Sequence, residues 1–314
     1  MLVYILKRIL MTIPVMLVVA LFVFLMLRLS PGDPAAVIAG DYATAEDVAR
    51  IRERLGLSDP IVVQFFKWIG ALLRGDLGTS IFSNKPVIEL IGQRIEPTLL
   101  LALTTILFSI AVAVPLGTLA AFRAGSVTDR AVMLFSVGGF SIPVFVLGYI
   151  LIYVFALNLH ILPVQGYRSP FEHGLGPFLV HIILPTLTLS VIYIALIARM
   201  TRASVIETLE EDYIRTARAK GQSELKVVVR HALRNAAVPI VTVIGIGIAL
   251  LIGGVVVTES VYNIPGLGRL VLDAVLARDY PIIQGLILFF SFVYILLNLL
   301  IDLTYTFLDP RIRY

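Results

Sequence analysis

The chain has 314 residues, a net charge of +4 at pH 7 and no cysteine; 59% of its residues are hydrophobic and 15% are charged. A mean hydropathy of +0.96 excludes an ordinary soluble domain, in which about 25% of residues are charged. Without cysteine there can be no disulfide, thiolate metal site or iron–sulfur cluster on this chain.

The apolar residues form long uncharged blocks, and a helix crossing a bilayer needs about 20 of them. The spacing predicts an all-α integral membrane protein with six transmembrane helices and both termini cytoplasmic. Helix one covers 9–29 within an N-terminal segment 1–30. Lys7 and Arg8 before an apolar run imitate a signal peptide, but the run exceeds a typical h-region and leads into Ser30-Pro31-Gly32-Asp33-Pro34, so it is expected to stay uncleaved. Residues 31–96 form an outer segment with short helices. Thr44 ahead of Glu46 and Asp47 is an N-cap, Gly56 a stop, and Asp59-Pro60 starts the next helix with Pro60 at its first position. There Val62, Phe65, Phe66, Ile69, Leu72 and Leu73 recur on one helical face, with Lys67 and Trp68 beside them. That helix either lies at the membrane surface or belongs to a small outer subdomain.

Residues 97–308 form a five-helix core. Helix two spans 97–121, where Ala113, Gly117 and Ala121 make a small-residue row around Pro115. Helix three covers 131–157 with Pro143 inside, helix four 179–199 with Pro185, helix five 237–258 and helix six 281–303. Residues 309–314 are a cytoplasmic tail. With both ends inside, eight Lys and Arg lie from Arg199 to Arg234, whereas the short outer loops hold Arg168, Arg269 and Arg278. Basic residues favour cytoplasmic loops. The positive net charge therefore reflects topology and implies a lipid partner, with no nucleic acid.

The cytoplasmic loop 200–236 reads as helix–turn–helix. Val205, Ile206, Leu209 and Tyr213 keep helical spacing, Gly221 ends a helix, and Ser223 caps the next, whose apolar positions are Leu225, Val228, Val229 and Leu233. Such an element suits a protein groove; a solvated or lipid-facing basic loop would read similarly. Nucleotide-binding Gly-x-x-x-x-Gly-Lys-Ser/Thr and metal-binding His-Glu-x-x-His are both absent. His160, His173, His181 and His231 are scattered, and Gly266-Leu267-Gly268 reads as a turn. The apolar cores carry almost no charge; Arg28, Glu259 and Asp302 sit near span ends, and Asp302 shares a face with Asn298. A proton-coupled carrier normally places acids mid-membrane, so the energy is expected to come from elsewhere.

Several stretches together carry a family resemblance: Ser30-Pro31-Gly32-Asp33-Pro34, Leu55-Gly56-Leu57-Ser58-Asp59-Pro60, Gly75-Asp76-Leu77-Gly78-Thr79-Ser80 and Glu211-Asp212-Tyr213-Ile214-Arg215-Thr216-Ala217-Arg218-Ala219-Lys220-Gly221. Others are His231-Ala232-Leu233-Arg234-Asn235-Ala236, Pro265-Gly266-Leu267-Gly268-Arg269, Arg278-Asp279-Tyr280-Pro281 and Asp309-Pro310-Arg311-Ile312-Arg313. Nearly end to end, the chain resembles the membrane (permease) subunits of bacterial binding-protein-dependent ABC importers of the dipeptide, oligopeptide, nickel and glutathione group. The wider family carries Glu-Ala-Ala, three residues, then Gly in its cytoplasmic loop; here only Ala217 and Gly221 agree with that pattern.

The resemblance implies an ABC importer type I permease fold in the bacterial cytoplasmic (inner) membrane, with the outer segment as an addition. It implies a second related permease subunit, two cytoplasmic ATPases and a periplasmic solute-binding protein. ATP and Mg would sit on the ATPases, with no cofactor, metal or catalytic residue on this chain. Tyr213, Arg215, Thr216, Ala217, Lys220, Gly221 and Ser223 would form the ATPase-docking coupling helix. Thr242 and Gly245 would line the substrate path by their place in the family fold. An ion-gradient-driven secondary carrier and a membrane scaffold are the competing readings.

Overall fold

A computed structural model describes residues 2–28, 34–40, 43–54 and 56–308. The tail 309–314 and Ser30-Pro31-Gly32-Asp33 lie outside that set, as do the Asp302 side chain and those of Lys7 and Arg8. Every regular element among the described residues is helical. α1 (Leu2–Arg28), α2 (Pro34–Ala39), α3 (Ala45–Arg54) and α4 (Ile61–Leu72) lead into α5 (Val87–Phe122). α6 (Val127–Ser141) and α7 (Val144–Leu151) follow, and α7 continues as a π-helix over Ile152–Asn158. Next come α8 (Pro170–His173), α9 (Leu175–Leu209), α10 (Asp212–Ala219) and α11 (Glu224–Lys226). A π-helical stretch, Val227–Ala232, joins α11 to α12 (Leu233–Asn235); α13 (Ala237–Val261), α14 (Leu267–Ala277) and α15 (Tyr280–Leu308) complete the order.

Four helices among the described residues, at Val87–Phe122, Leu175–Leu209, Ala237–Val261 and Tyr280–Ile301, are long and apolar enough to cross a bilayer. The count is five if α6 and α7 form one broken span, and α1 carries a shorter apolar stretch, Leu10–Met26. The third helix is therefore not the continuous rod expected over 131–157: its two halves meet at 104°. The cause is Pro143, which lacks an N–H and disfavours the helical conformation one residue earlier; Ile142 is extended, with φ −93° and ψ 121°.

The chain packs as two units. One comprises the chain up to Ile95 together with Leu270–Leu296; the other runs over Glu96–Arg269 and resumes at Leu297. In the first unit Thr44 Oγ1 accepts from the Asp47 amide, and the Asp47 carboxylate accepts from the Thr44 amide, both at 3.2 Å. This reciprocal cap holds the Asp47 carboxyl below its ordinary range, chiefly through the Thr44 hydroxyl. Gly56, at φ 63°, ends α3 as expected. α4 begins one residue later than expected, with Pro60 as N-cap. Its apolar residues do not share one buried face: Phe65 and Trp68 pack on Phe24 of α1 at 5.1 and 5.6 Å, whereas Val62, Phe66 and Leu73 stay exposed.

Two of the sequence landmarks meet in this unit. Ser80 donates to Asp279 Oδ2 at 2.6 Å, and both residues are buried. Asp76 Oδ1 accepts from the Gly78 amide at 2.8 Å, and the Gly78 carbonyl accepts from Val87, the first residue of α5. The turn 75–80 thus starts α5 well before the expected 97, so the 31–96 segment ends inside a helix.

In the second unit α9 is central: 61% of its apolar window is buried, against 22% for α5. It runs unbroken through Leu175–Leu209 where a span over 179–199 was expected. At about 1.5 Å per residue it is roughly 50 Å long, well beyond a hydrocarbon core of about 30 Å. Gly117 sets its distance from α5, because a Cβ there would lie 2.5 Å from the Ala198 carbonyl. The small-residue row on α5 therefore does what its spacing predicted. Hydroxyls complete the interior: Thr104 meets Thr186 at 2.9 Å, and Thr188 meets Tyr262 at 2.7 Å. In hydrocarbon such pairs replace the hydrogen bonds that water would otherwise supply.

Two substitutions test these contacts. Asp279→Ala strands the buried Ser80 hydroxyl and should cost about 2 kcal/mol; Gly117→Val overfills the α5–α9 contact and should cost about 1–3 kcal/mol. Thermal unfolding of the purified protein in detergent checks both, and an unchanged midpoint for either would contradict the packing described.

Candidate functional site

α10 is a short, charged helix with a fully buried anchor. Ile214 has no exposed surface and Ala217 is 8% exposed; both pack with Val205, Val227, Val228, Ala232 and Ile240. Residues three apart share a helix face, so one side of α10 is committed to the protein's own interior. Tyr213, Arg215, Thr216 and Lys220 are exposed, as are Gly221 and Ser223 after the helix. Seven residues proposed from sequence as one site thus lie together, but Ala217 turns inward and is a packing residue in this conformation.

The turn after α10 is fastened on both sides. Gly221 takes φ 75°, in the left-handed region, and a Cβ there would meet nothing within 4 Å. Backbone conformation, rather than crowding, is what favours glycine. Arg218 grips Glu224 across the turn with two hydrogen bonds of 2.9 and 3.2 Å. Gln222 pairs with the His231 Nε2 at 2.9 Å, and the Tyr213 hydroxyl accepts from Asn235 at 2.6 Å. Ser223 occupies the N-cap position of α11, yet its side chain makes no cap hydrogen bond. The expected second helix is present only in segments, with Val227–Ala232 wound as a π-helix.

A charge pair that sequence reading passed over braces the same region. Asp129, 4% exposed, is held by Arg202 of α9 through Nε and through Nη2 at 2.8 Å, and it also accepts from the Gly125 amide at 2.9 Å. Read singly, both residues look like flanking charges; their separation of 73 positions hides the pair. Removing Arg202 would leave the buried Asp129 carboxylate without its counter-ion, at about 3–5 kcal/mol.

Glu259, noted in the sequence only as a charge near a span end, has no exposed surface. Thr98 donates to Oε1 at 2.5 Å and the Arg269 amide donates to Oε2 at 3.0 Å. Thr98 Oγ1 also accepts from the Leu267 amide at 2.8 Å. A carboxylate and a hydroxyl therefore satisfy two of the free amides that open α14. Gly266 is needed because any Cβ would overlap the Glu259 carboxylate. Gly266 lies in the bend before α14, but Leu267 and Gly268, read from sequence as part of a turn, are the first residues of that helix, which the sequence reading missed.

Thr242 and Gly245 both lie on α13. Thr242 donates to the Val238 carbonyl at 2.9 Å. Gly245 is buried, and a Cβ there would lie 2.6 Å from Ile301 Cδ1, so this glycine admits a close neighbour. His160, His173 and His181 do not converge, and no metal-binding cluster occurs among the described residues. In the segment between Asn158 and α8, burial and the Glu96 carboxylate at 2.8 Å push the Tyr167 hydroxyl up.

Comparison with known proteins bears on the whole chain. Residues 113–314 match the family described as the binding-protein-dependent transport system inner membrane component, and residues 1–104 match the N-terminal part of the membrane component of such systems. A probable peptide ABC transporter permease protein of Sinorhizobium fredii is 57% identical, with 99% of both chains aligned. The glutathione transport system permease protein GsiC of Salmonella typhimurium is 46% identical, again over 99% of both. Among solved structures, a chain of the MetNI methionine ABC transporter in an inward-facing conformation has a TM-score of 0.57 at 18% identity, covering 71% of this chain and 97% of that one. That likeness shows the fold. The two family matches and the end-to-end relatives show that this chain belongs to the inner-membrane components of binding-protein-dependent transport systems.

Proposed function

We propose that the chain is one permease subunit of an ATP-driven importer, with a related subunit completing the translocation path. The end-to-end family match carries this reading, and it displaces the ion-gradient-driven carrier. The finer topology belongs to the proposal: six spans, with α1 and the broken α6–α7 pair each counted as one, both termini cytoplasmic, and an outer segment over 31–96 that seats a periplasmic binding protein. Peptides or similar small solutes, glutathione among them, are the proposed cargo, in line with what the relatives are named for.

The cytoplasmic loop 200–236 is the proposed site of force transfer. Two partner ATPases holding ATP and Mg would each receive a short coupling helix, here α10. Tyr213, Arg215, Thr216, Lys220, Gly221 and Ser223 present the docking surface, while Ala217 and Ile214 fix it to the core. A push on α10 passes into α9 through Ile214 and Val205, because close-packed side chains transmit displacement. Thr242, on α13, is the proposed path residue; Gly245 acts there by admitting Ile301.

Reconstituted vesicles carrying the complete importer and its binding protein test the assignment. Solute uptake should require ATP inside and should persist when ion gradients are collapsed; uptake by this chain alone, driven by an ion gradient, would contradict it. Gly221→Asp should abolish ATP-driven uptake while membrane abundance stays normal, since it puts a charged side chain at a left-handed turn. Gly221→Ala should have a smaller effect, with a conformational cost of about 1 kcal/mol. Normal uptake by the Gly221→Asp protein would overturn the docking role.

A further inference from the structure

The first unit contains a slot that is apolar along one part and polar at its end. The apolar part is a groove of about 590 Å³ between α1, α4 and α15, with Leu17, Ala20, Leu72, Leu288 and Phe292 among its walls. Leu77 also borders a second pocket of about 310 Å³, which Arg28, Trp68, Asp76 and Gln284 line. Polarity changes in register along the helices. On α1 the groove residues Thr12 to Ala20 precede Arg28; on α15 Pro281 and Gln284 line the polar pocket and Leu288 to Ile295 the groove. From Leu17 to Arg28 the rise is roughly 16 Å. A molecule filling both parts must itself be apolar along its length and polar at one end.

The polar pocket holds one charge of each sign. Arg28 donates to Gln64 Oε1 at 2.8 Å and to the Phe24 carbonyl at 3.2 Å, and its guanidinium lies 3.7 Å from the Phe24 ring centroid. Among the described residues no carboxylate lies within ion-pair distance of it. Asp76 spends Oδ1 on the Gly78 amide and leaves Oδ2 without a partner among the described residues. A partly buried cation without a counter-ion favours an anionic ligand, and a carboxylate in the same pocket disfavours a ligand that carries negative charge only. Trp68 lines the polar pocket, and an indole suits the headgroup level of a membrane.

We propose that this slot binds one phospholipid with an amine headgroup: an acyl chain in the α1–α4–α15 groove, the phosphate on Arg28 and the ammonium on Asp76. Bound this way, the lipid touches α1, α4 and α15 at once and adds to the direct contacts of Phe24 with Phe65 and Trp68 and of Gln284 with the Val23 carbonyl. Its chemistry is independent of the solute carried and of the docking surface on α10.

The test uses the complete importer, purified in mild detergent and exposed to equal amounts of phosphatidylethanolamine and phosphatidylglycerol. Native mass spectrometry then counts the phospholipid retained per complex. The wild type should retain phosphatidylethanolamine over phosphatidylglycerol by roughly 10-fold, and Arg28→Gln should lose that lipid by a similar factor, as expected for one charge-assisted hydrogen-bonded contact. Leu73→Trp gives a second arm: Leu73 lines the groove but is 84% exposed, so a larger side chain narrows the groove from its rim without entering the core. It should lower retention as well. Equal or greater retention of phosphatidylglycerol, or unchanged retention in both variants, would overturn the proposal.

Discussion

One buried isoleucine ties a hydrophilic helix to the interior of a membrane protein. α10 carries three charged residues in eight positions, Asp212, Arg215 and Arg218, and Lys220 follows immediately after it; alone it would be a soluble turn with little reason to hold a position. A helix of that length is unstable in water without tertiary support. Ile214 provides that support by entering the cluster made by Val205, Val227, Val228 and Ala232. Because α9 continues without a break from the membrane into this cluster, the helix that leads to α10 is the one most enclosed in its unit. Motion at the proposed docking surface therefore cannot be absorbed by a loose loop. The Arg218–Glu224 and Asp129–Arg202 pairs restrict the same region from two further directions.

The family landmarks also acquire a physical meaning. Gly75–Ser80 and Arg278–Pro281 are far apart in sequence but share the buried Ser80–Asp279 hydrogen bond. The Pro265–Arg269 stretch, which leads into α14, wraps the Glu259 carboxylate, and its first glycine is a steric requirement. The insert 211–221 owes its glycine to backbone conformation. These motifs are solutions to one problem: ending or starting a helix near a bilayer without leaving amides or carboxylates unsatisfied.

Most spans were legible because hydrocarbon thickness imposes a run length on the sequence. The small-residue row on α5, the Thr44 cap and the stops at Gly56 and Gly221 were legible because each depends on residues close together in the chain. What was missed depends on distant partners or on the choice between two local outcomes. Pro143 was taken as tolerable inside a helix, yet it splits the span by 104°. Ala217 belonged to the docking motif, and only the packing of Val227 and Ala232 shows that it faces inward. The Asp129–Arg202 pair leaves no periodic trace, and α14 was obscured because its start looks like a turn. The face of α4 was misjudged because apolar residues surround that helix, so spacing alone could not say which side meets Phe24.

The central claim is that the exposed side of α10 is the surface that a nucleotide-hydrolysing partner grips. Because the chain has no cysteine, Thr216→Cys gives a single thiol on that side without further engineering of this subunit. Cross-linking from it within the assembled importer, with and without ATP, is the most direct test. The account predicts a covalent product with the ATPase subunit whose yield changes with nucleotide. Labelling of that thiol by a membrane-impermeant reagent added from outside intact cells, with no ATPase product under any nucleotide, would contradict it.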